Sequence, residues 1–300
     1  MLAKRALITG LAGFTGHYLA RELTSAGYEV HGLGEGASPV ANYHQVDLGD
    51  PIALREVIAR VQPAVVAHLA AIAFVGHGDA EAFYRVNVMG TRNLLEALAT
   101  VAAGLECVLL ASSANVYGNA TEGVIDEDVR PDPANDYAVS KLSMEYVARL
   151  WQPKLPIVMV RPFNYTGVGQ TEDFLLPKIV GHFCRAADRI ELGNLDVWRD
   201  FNDVRAVAAA YRGLIEAPER SVGQVFNVCS GQATSLREVI ALMEAISGNR
   251  VEVVVNPAFV RQNEVKVLTG SAERLRAVLP CWQPIPLRDT LGWMYEAGCQ

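Results

Sequence analysis

RALITGLAGFTG, residues 5–16, joins a short apolar run to three glycines, Gly10, Gly13 and Gly16. The run predicts a buried strand, and the apolar spacing that follows the glycines predicts a helix. Glycines at such a turn let a pyrophosphate approach the backbone at the helix N-terminus. Ordinary turns also contain glycines at this spacing, but the position at the first strand-to-helix turn favours a dinucleotide site. The predicted cofactor-binding residues here are Gly10, Gly13, Phe14, Thr15 and Gly16.

The rest of the first half alternates strands with helices. Its strand segments are apolar throughout, which is typical of a parallel sheet covered on both faces. We predict a Rossmann-type doubly wound α/β domain over residues 1–163. Residues 164–300 contain more loop sequence and predict a smaller mixed α/β domain. A segment of this half, near residues 200–230, is expected to return to the first domain. The predicted strands of the first domain are 5–9, 28–33, 64–71, 106–112 and 157–161, and its later helices are 83–103 and 137–151.

The composition is that of an acidic globular protein. The chain has 300 residues, 51% hydrophobic and 20% charged, with a formal charge of −7. This apolar content excludes a disordered chain, and the acidity argues against a nucleic-acid binder, which needs clustered Lys and Arg. No apolar run reaches the ~18 residues of a membrane span. We expect a soluble cytoplasmic protein with neither nucleic acid nor membrane as a partner.

The cysteine and histidine patterns disfavour both disulfides and a metal site. The 5 cysteines are odd in number and widely spaced, and none forms a C-x-x-C pair. Both a disulfide framework and structural zinc are therefore disfavoured, and a reducing compartment is favoured. The histidines lack metal-ligand spacing, so we predict no metal site.

The end of the second strand bears on the choice of cofactor. An acid there hydrogen-bonds the adenosine ribose, whereas an Arg accepts a 2′-phosphate. Glu35 is the charged candidate, and no Lys or Arg lies between Arg21 and Arg55. The sequence therefore favours NAD(H), with NADP(H) as the alternative because of His31 and His44. Glu35 also fits a solvated loop residue. The other residues predicted to line the adenosine are Asp47, placed for the adenine amino group, and Leu48.

A third motif combines Ser113, at the end of a predicted strand, with Tyr137 and Lys141 on a later helix. Residues four apart share a helix face, so we expect the ammonium of Lys141 to lower the pKa of the phenol from ~10. Ser113 would polarise the same substrate oxygen. With the glycine loop in the same chain order, the set predicts carbonyl acid–base catalysis by Ser113, Tyr137 and Lys141.

In these motifs the whole chain resembles the extended short-chain dehydrogenase/reductase family. Ser113, Tyr137 and Lys141 match the catalytic residues of that family, and the three glycines match its cofactor loop. Further motifs resemble the branch that acts on GDP-mannose-derived sugars. These are Leu69-Ala70-Ala71 followed by Phe74-Val75-Gly76, then Gly193-Asn194-Leu195-Asp196 and Arg199-Asp200-Phe201. Two more resemble the reductases of that branch more closely: Arg161-Pro162-Phe163-Asn164 with Gly167, Gly169 and Gln170, and Phe226-Asn227-Val228-Cys229-Ser230-Gly231. The stretch His68-Leu69-Ala70-Ala71 also matches the strand of the wider family that lies beside the cofactor.

The resemblance implies an NAD(P)-dependent enzyme that acts on a nucleotide sugar. Dehydratases of this branch carry an acid, usually Glu, two residues beyond the catalytic Ser or Thr; here that residue is Asn115. Removal of water needs such an acid–base group. We therefore expect reduction of the 4-keto group of GDP-4-dehydro-6-deoxy-D-mannose to GDP-D-rhamnose. The alternatives are a nucleotide-sugar 4-epimerase, a 4-ketoreductase for another nucleotide sugar and, ranked low, a non-catalytic dinucleotide sensor.

The resemblance also implies a substrate site in the second domain. Asn164, Arg199 and Arg261 match residues that hold the diphosphate, and paired arginines suit oxygen anions. Lys178 is a further candidate, although a solvated charge on a helix explains it equally. The helices at 83–103 and 137–151 resemble those that pair into a four-helix interface, so a homodimer is expected.

Overall fold

The structure is a computed structural model that describes residues 3–73, 79–118, 123–259 and 267–299. It confirms the predicted α/β fold. The strands are β1 (Arg5–Thr9), β2 (Glu29–Gly34), β3 (Tyr43–Gln45), β4 (Val65–His68), β5 (Cys107–Ala111), β6 (Val124–Ile125), β7 (Ile157–Pro162), β8 (Asn164–Thr166), β9 (Arg189–Leu192), β10 (Trp198–Asp203), β11 (Val225–Val228), β12 (Ala233–Ser235), β13 (Glu252–Val255) and β14 (Val267–Gly270).

The helices follow the apolar spacing of the sequence closely. The helix over residues 236–247, for example, begins with a capping box between Ser235 and Glu238. The helices are α1 (Phe14–Ser25), α2 (Pro51–Val61), α3 (Ala80–Phe83), α4 (Thr91–Val101), α5 (Asp136–Trp151), α6 (Leu175–Cys184), α7 (Val204–Glu216), α8 (Pro218–Ser221), α9 (Leu236–Ser247), α10 (Glu273–Val278) and α11 (Leu287–Gly298). None of these helices is long and apolar enough to cross a membrane.

The main sheet of the described chain has seven strands in the order β11-β7-β5-β4-β1-β2-β3, and every neighbouring pair is parallel. One hydrophobic cluster packs α1 and α7 on one face, and a second packs α2, α4 and α5 on the other. The carboxyl ends of the strands therefore meet at one edge. Ligands of open α/β sheets bind at that edge.

The second half of the chain contributes β11 to the main sheet and forms smaller sheets of its own. β10 pairs with β8, β12 and β14, and β9 pairs with β13. Helices α6, α9 and α11 pack against one another around a third apolar cluster. Because β8 follows β7 directly, this region begins at the carboxyl edge of the main sheet.

The helix predicted over residues 83–103 is interrupted. α3 leads into a π-helical stretch, Tyr84–Gly90, before α4 begins at Thr91. Apolar periodicity does not reveal such a stretch, because the residues on either side keep helical spacing. π-helical turns are frequent at functional sites.

One disulfide departs from the cysteine prediction. Cys184, the last residue of α6, is bonded to Cys299, just beyond α11, and their Cα atoms lie 5.0 Å apart. The pair is separated by 115 residues in sequence. The packing of α11 on α6 brings the two together, and sequence spacing could not indicate this.

Candidate active site

The glycine loop lies where the sequence places it, between β1 and α1. Gly10 has φ +72°, and a Cβ there would lie 2.8 Å from the backbone nitrogen of Ala70, after β4. A Cβ on Gly16 would overlap the carbonyls of Gly10 and Leu11. Glycine is therefore required at both positions, because the loop packs backbone against backbone.

The N-terminus of α1 is open. Gly13 caps the helix without a side-chain hydrogen bond. The first-turn N–H groups of an α-helix have no partner within the helix and carry the positive end of its dipole. At the carboxyl end of β5, two strands away along the same edge of the sheet, the Ser112 hydroxyl is buried and has no hydrogen-bond partner among the described residues. The open N-terminus of α1, next to a turn built from glycines, fits the pyrophosphate of a dinucleotide.

A chain of hydrogen bonds supports the segment beside this loop. The Ala70 N–H donates to Thr9 Oγ1 (3.2 Å), and Thr91 Oγ1 donates to the Asn87 carbonyl (2.7 Å). His68 lies between the two hydroxyls, with Nδ1 2.7 Å from Thr9 Oγ1 and Nε2 2.8 Å from Thr91 Oγ1. Thr91 has already used its proton, so His68 donates from Nε2 and accepts at Nδ1. Burial lowers the pKa of His68 to about 3, which keeps the ring neutral.

Ser113, Tyr137 and Lys141 are all buried near the end of β5. Ser113 Oγ accepts a hydrogen bond from the Asn115 N–H (3.1 Å) as it caps a short 3₁₀ turn, so its own hydroxyl proton is not used in that bond. Lys141 Nζ donates to the Ala111 carbonyl (2.8 Å). Tyr137 lies on the first turn of α5, which Asn135 caps.

The pKa of Tyr137 is not lowered by Lys141, contrary to the expectation from the sequence. Burial raises the pKa of Tyr137 to about 12, although a hydrogen bond with Ser113 lowers it. Burial also lowers the pKa of Lys141 to about 8, against the attraction of Glu145. Lys141 does not lower the pKa of Tyr137 here, because desolvation dominates and its ammonium is directed at Ala111. At neutral pH the phenol is therefore protonated, as a proton donor must be.

Asn87 lies in the π-helical stretch and joins three parts of the site. Its Oδ1 accepts from the Ile72 N–H (3.0 Å), and its Nδ2 donates to the Ile72 carbonyl (3.2 Å). The same Nδ2 donates to Ser140 Oγ (3.0 Å), and Ser140 donates to the Tyr137 carbonyl. Asn87 thus connects the segment after β4 to the turn of α5 that carries Tyr137 and Lys141. From the sequence, Asn87 fits a buried polar support for its helix and the adjoining loop, but a single Asn has no spacing that marks it as a site residue.

A second connection missed by the sequence crosses from the glycine loop to β8. Thr15 Oγ1 and the Tyr165 hydroxyl are 2.8 Å apart, and the rings of Tyr165 and Phe14 stack with centroids 6.1 Å apart. Tyr165 follows Asn164 directly. The cofactor loop and the start of the predicted substrate region are therefore bonded to each other.

The predicted substrate residues lie on neighbouring elements. Asn164 pairs with Phe201 in the β8–β10 register, and Arg199 lies two residues before Phe201, so Asn164 and Arg199 share a sheet face. The Lys178 ammonium donates to the Glu191 carbonyl (3.2 Å) and lies 4.7 Å from the centroid of the Phe259 ring. Lys178 is thus held at the protein surface instead of extending freely into solvent. Two predicted positions, Arg261 and the segment 74–76, lie outside the described residues.

The adenosine candidates lie at the far side of the same edge. Glu35 follows β2 and is exposed. The Asp47 carboxylate is also exposed and accepts from the Gly49 N–H (2.7 Å), while Leu48 is buried. Leu69, Ala70 and Ala71 continue from β4 next to the glycine loop, where they are partly exposed.

Known proteins are similar to this chain in sequence and in fold. The sequence profile of the NAD dependent epimerase/dehydratase family matches residues 6–229. GDP-6-deoxy-D-talose 4-dehydrogenase of Aggregatibacter actinomycetemcomitans is 34% identical, over 91% of this chain and 90% of its own. GDP-6-deoxy-D-mannose reductase of Pseudomonas aeruginosa is 35% identical, over 98% of this chain and 93% of its own.

Solved structures agree over the full length. A structure from Burkholderia cenocepacia J2315 is 52% identical with a TM-score of 0.94, and covers 99% of this chain and 98% of its own. The structure of RMD from Pseudomonas aeruginosa complexed with NADPH is 32% identical with a TM-score of 0.87, and covers 99% of both chains. The sequence comparison and the structure comparison therefore agree over nearly the whole chain.

Proposed function

The chain belongs to the NAD dependent epimerase/dehydratase family, and on that premise we propose that it reduces the 4-keto group of GDP-4-dehydro-6-deoxy-D-mannose to GDP-D-rhamnose. It is an NAD(P)-dependent oxidoreductase with a nicotinamide dinucleotide cofactor and a nucleotide-sugar substrate. The specific sugar and product are the proposal. So is the division into a cofactor domain, residues 1–163, and a mainly substrate-binding domain, residues 164–300.

The observation that carries the proposal is the composition of the catalytic turn. Residues 113–118 contain Ser113 and Asn115 but no carboxylate, and the Asn115 N–H donates to Ser113 Oγ. Elimination of water requires an acid–base group beside the reacting carbons, whereas ketone reduction requires only a proton donor and oxyanion donors. This turn supports reduction over dehydration.

The cofactor would be held by the glycine loop and its neighbours. The open N-terminus of α1, at Gly13 to Gly16, would face the pyrophosphate, and Leu69 to Ala71 would line the adjoining wall. Asp47 and Leu48 complete the adenosine side. Bound NAD(P)H supplies the hydride. We propose NAD(H) as the preferred form, because Glu35 brings a negative charge to the end of β2.

The catalytic residues each have one task. Tyr137 gives its phenolic proton to the oxygen at carbon 4 as negative charge develops there. Ser113 donates a hydrogen bond to the same oxygen, with the hydroxyl proton that its bond from Asn115 does not use. Lys141 keeps two N–H donors beyond its bond to Ala111, which suit the ribose hydroxyls beside Tyr137.

The substrate would lie across β8 and β10. We propose that Asn164, Arg199 and Arg261 bind the diphosphate, with Lys178 at its margin. The shared sheet face of Asn164 and Arg199 supports this arrangement, since an amide and a guanidinium side by side suit adjacent phosphate oxygens.

A second product has specific support. The two curated relatives have nearly equal identity to the chain, and 6-deoxytalose is the epimer of 6-deoxymannose at carbon 4. Which face of the ketone receives the hydride decides between them. GDP-6-deoxy-D-talose is therefore the second candidate product, ahead of a full 4-epimerase reaction.

We also propose a cytoplasmic homodimer. Three apolar side chains are exposed on adjoining helical segments, Met89 at 50%, Tyr146 at 57% and Leu150 at 78%. Tyr146 and Leu150 lie one turn apart on α5, so together they form an exposed apolar stripe on the surface of that helix. Burial of this stripe against a second copy would place two copies of α5 in one interface. Light scattering of the native chain and of Leu150→Glu tests this, with a monomeric native chain as the contradicting result.

The deciding experiment mixes the purified protein with enzymatically made GDP-4-dehydro-6-deoxy-D-mannose and either NADH or NADPH. Loss of nicotinamide absorbance measures turnover, and NMR identifies the sugar. GDP-D-rhamnose as product supports the proposal, and the two rates test the preference for NAD(H). GDP-6-deoxy-D-talose would favour the second candidate. No consumption of a bound cofactor would reject both reductases and favour an epimerase or another nucleotide sugar.

A further inference from the structure

The last residue of β2 is Gly34, not an acid. In Rossmann folds an acidic side chain at the end of the second strand hydrogen-bonds the ribose of the adenosine. Glu35 comes one residue later, after the strand has ended, and its backbone carbonyl accepts a hydrogen bond from Gln45 Nε2 (3.0 Å). The position from which a strand residue would reach the ribose therefore has no side chain of its own.

Tyr43 fills that position from the neighbouring strand. It begins β3 and pairs with Gly32 in the parallel β2–β3 register. A Cβ on Gly32 would lie 2.7 Å from Cδ2 of Tyr43, and a Cβ on Gly34 would overlap the Tyr43 hydroxyl. The ring thus runs along β2 over two glycines and ends with its oxygen at the carboxyl end of the strand.

The same face of β2 adjoins the cofactor loop. A Cβ on Gly32 would lie 3.0 Å from Cδ1 of Leu11, which stands between the glycines of that loop. Leu11 and the Tyr43 ring therefore meet on one side of the sheet edge. The Tyr43 hydroxyl therefore lies at the carboxyl end of β2, on the side of the sheet where Leu11 of the cofactor loop packs.

The Tyr43 hydroxyl is also available to hydrogen-bond a ligand. In the part of the chain that the structure describes, no group hydrogen-bonds to the Tyr43 hydroxyl, although the residue is half-buried. Burial raises the pKa of Tyr43, so the hydroxyl stays protonated and neutral at physiological pH. A neutral hydroxyl can both donate to and accept from a ribose hydroxyl.

We propose that the Tyr43 hydroxyl hydrogen-bonds the adenosine ribose of the cofactor, in the place that an acid at the end of β2 would take. This deepens the proposed function on its cofactor side and needs only that the cofactor be a nicotinamide dinucleotide. Tyr43 then positions the ribose without repelling a 2′-phosphate, so discrimination between the two cofactors is left to the charge of Glu35.

The first test measures binding without any sugar. NADH and NADPH are titrated separately into the full-length chain by calorimetry. Tyr43→Phe should weaken binding of both about 3- to 10-fold, the range of one net hydrogen bond, and leave their ratio nearly unchanged. Glu35→Gln should instead shift the ratio towards NADPH. Tyr28→Phe is the matched control, because Tyr28 precedes β2 at the opposite end of the strand, and it should bind both cofactors as the native chain does.

A second pair of variants tests whether the Tyr43 ring occupies the space beside Gly34. Gly34→Asp should weaken binding of NADH more than 10-fold, because its side chain collides with the phenol. Gly34→Asp combined with Tyr43→Ala should recover NADH binding and weaken NADPH binding, since the carboxylate now reaches the ribose. Circular dichroism and thermal unfolding confirm that each variant folds.

Native affinity of Tyr43→Phe for both cofactors would overturn the proposal, as would native binding of NADH by Gly34→Asp. Because no sugar is present, either failure leaves the GDP-sugar assignment untouched. Conversely, failure of the reductase assay would leave these binding results standing.

Discussion

Arg161 and Glu145 form a two-point ion pair in the interior. Arg161 Nε and Nη2 donate to the two carboxylate oxygens of Glu145 at 2.8 and 2.7 Å, and both side chains are at most 3% exposed. Arg161 Nη1 also donates to the Tyr117 hydroxyl (2.9 Å), which donates to Asn227 Oδ1 (2.7 Å). Glu145 lies one turn after Lys141 on α5. The pair therefore fixes the catalytic helix to β7 and, through Tyr117 and Asn227, to β11.

Breaking this pair should destabilise the fold severely. Arg161→Met leaves the Glu145 carboxylate buried and unpaired, and we expect the free energy of unfolding to fall by about 3–5 kcal/mol. Urea denaturation measures this. The double variant Arg161→Met/Glu145→Leu should recover much of the loss, because no buried charge remains. A double variant as unstable as the single one would show that packing, not charge, dominates.

Tyr137→Phe should remove catalysis and leave binding intact. We expect turnover to fall by ~10²- to 10⁴-fold, the usual contribution of a general acid. The ring remains in its buried place, so the melting temperature and the affinity for the cofactor should change little. Single-turnover assays and cofactor titration measure the two separately. Unchanged turnover would exclude Tyr137 as the proton donor.

His68 should make the protein less stable in acid. The unfolded chain takes up a proton on His68 as the pH falls below 6.5, whereas the folded chain stays neutral down to about 3. The unfolded state therefore binds more protons in this window, and stability falls as the pH falls, by up to about 1.4 kcal/mol per pH unit.

His68→Gln isolates this contribution, because Gln does not titrate. Urea denaturation at intervals from pH 7 to 3 should show a shallower loss of stability in the variant than in the native chain. The acidic residues contribute equally to the pH dependence of stability in the native chain and in the variant. Parallel curves would mean that His68 binds its proton equally well in the folded and the unfolded state.

Thr15 and Tyr165 should show energetic coupling. A double-mutant cycle with Thr15→Val and Tyr165→Phe removes each hydroxyl alone and then both, and unfolding by urea is measured for all four proteins. We expect a coupling of about 0.5–1.5 kcal/mol, the net value of one hydrogen bond. Additive losses would show that the two hydroxyls do not support each other.

The parts of the site that sequence predicted are those with local signals. The glycine loop, Ser113 and the pair Tyr137 and Lys141 are each recognisable from neighbouring residues, because a turn or one helix face determines their positions. Five of the seven strands of the described main sheet, β1, β2, β4, β5 and β7, were predicted for a similar reason, since buried parallel strands are apolar throughout.

The missed contacts join distant segments. The partners of Tyr43, Asn87 and Tyr165 lie on other strands or loops, and no spacing rule connects them. The disulfide between Cys184 and Cys299 arose in the same way, from the packing of two helices. The pKa of Tyr137 was predicted in the wrong direction because burial, which spacing does not report, outweighs the nearby ammonium.

The π-helical stretch Tyr84–Gly90 makes this part of the chain intolerant of length change. Each residue of a helix turns it by about 100°, so loss of one residue that restored regular α-helix would rotate everything before it relative to α4. Asn87 would then leave Ile72 and Ser140, and the segment beside the cofactor would lose its anchor. Insertions and deletions among homologues should therefore be found in exposed loops and be absent from residues 84–90.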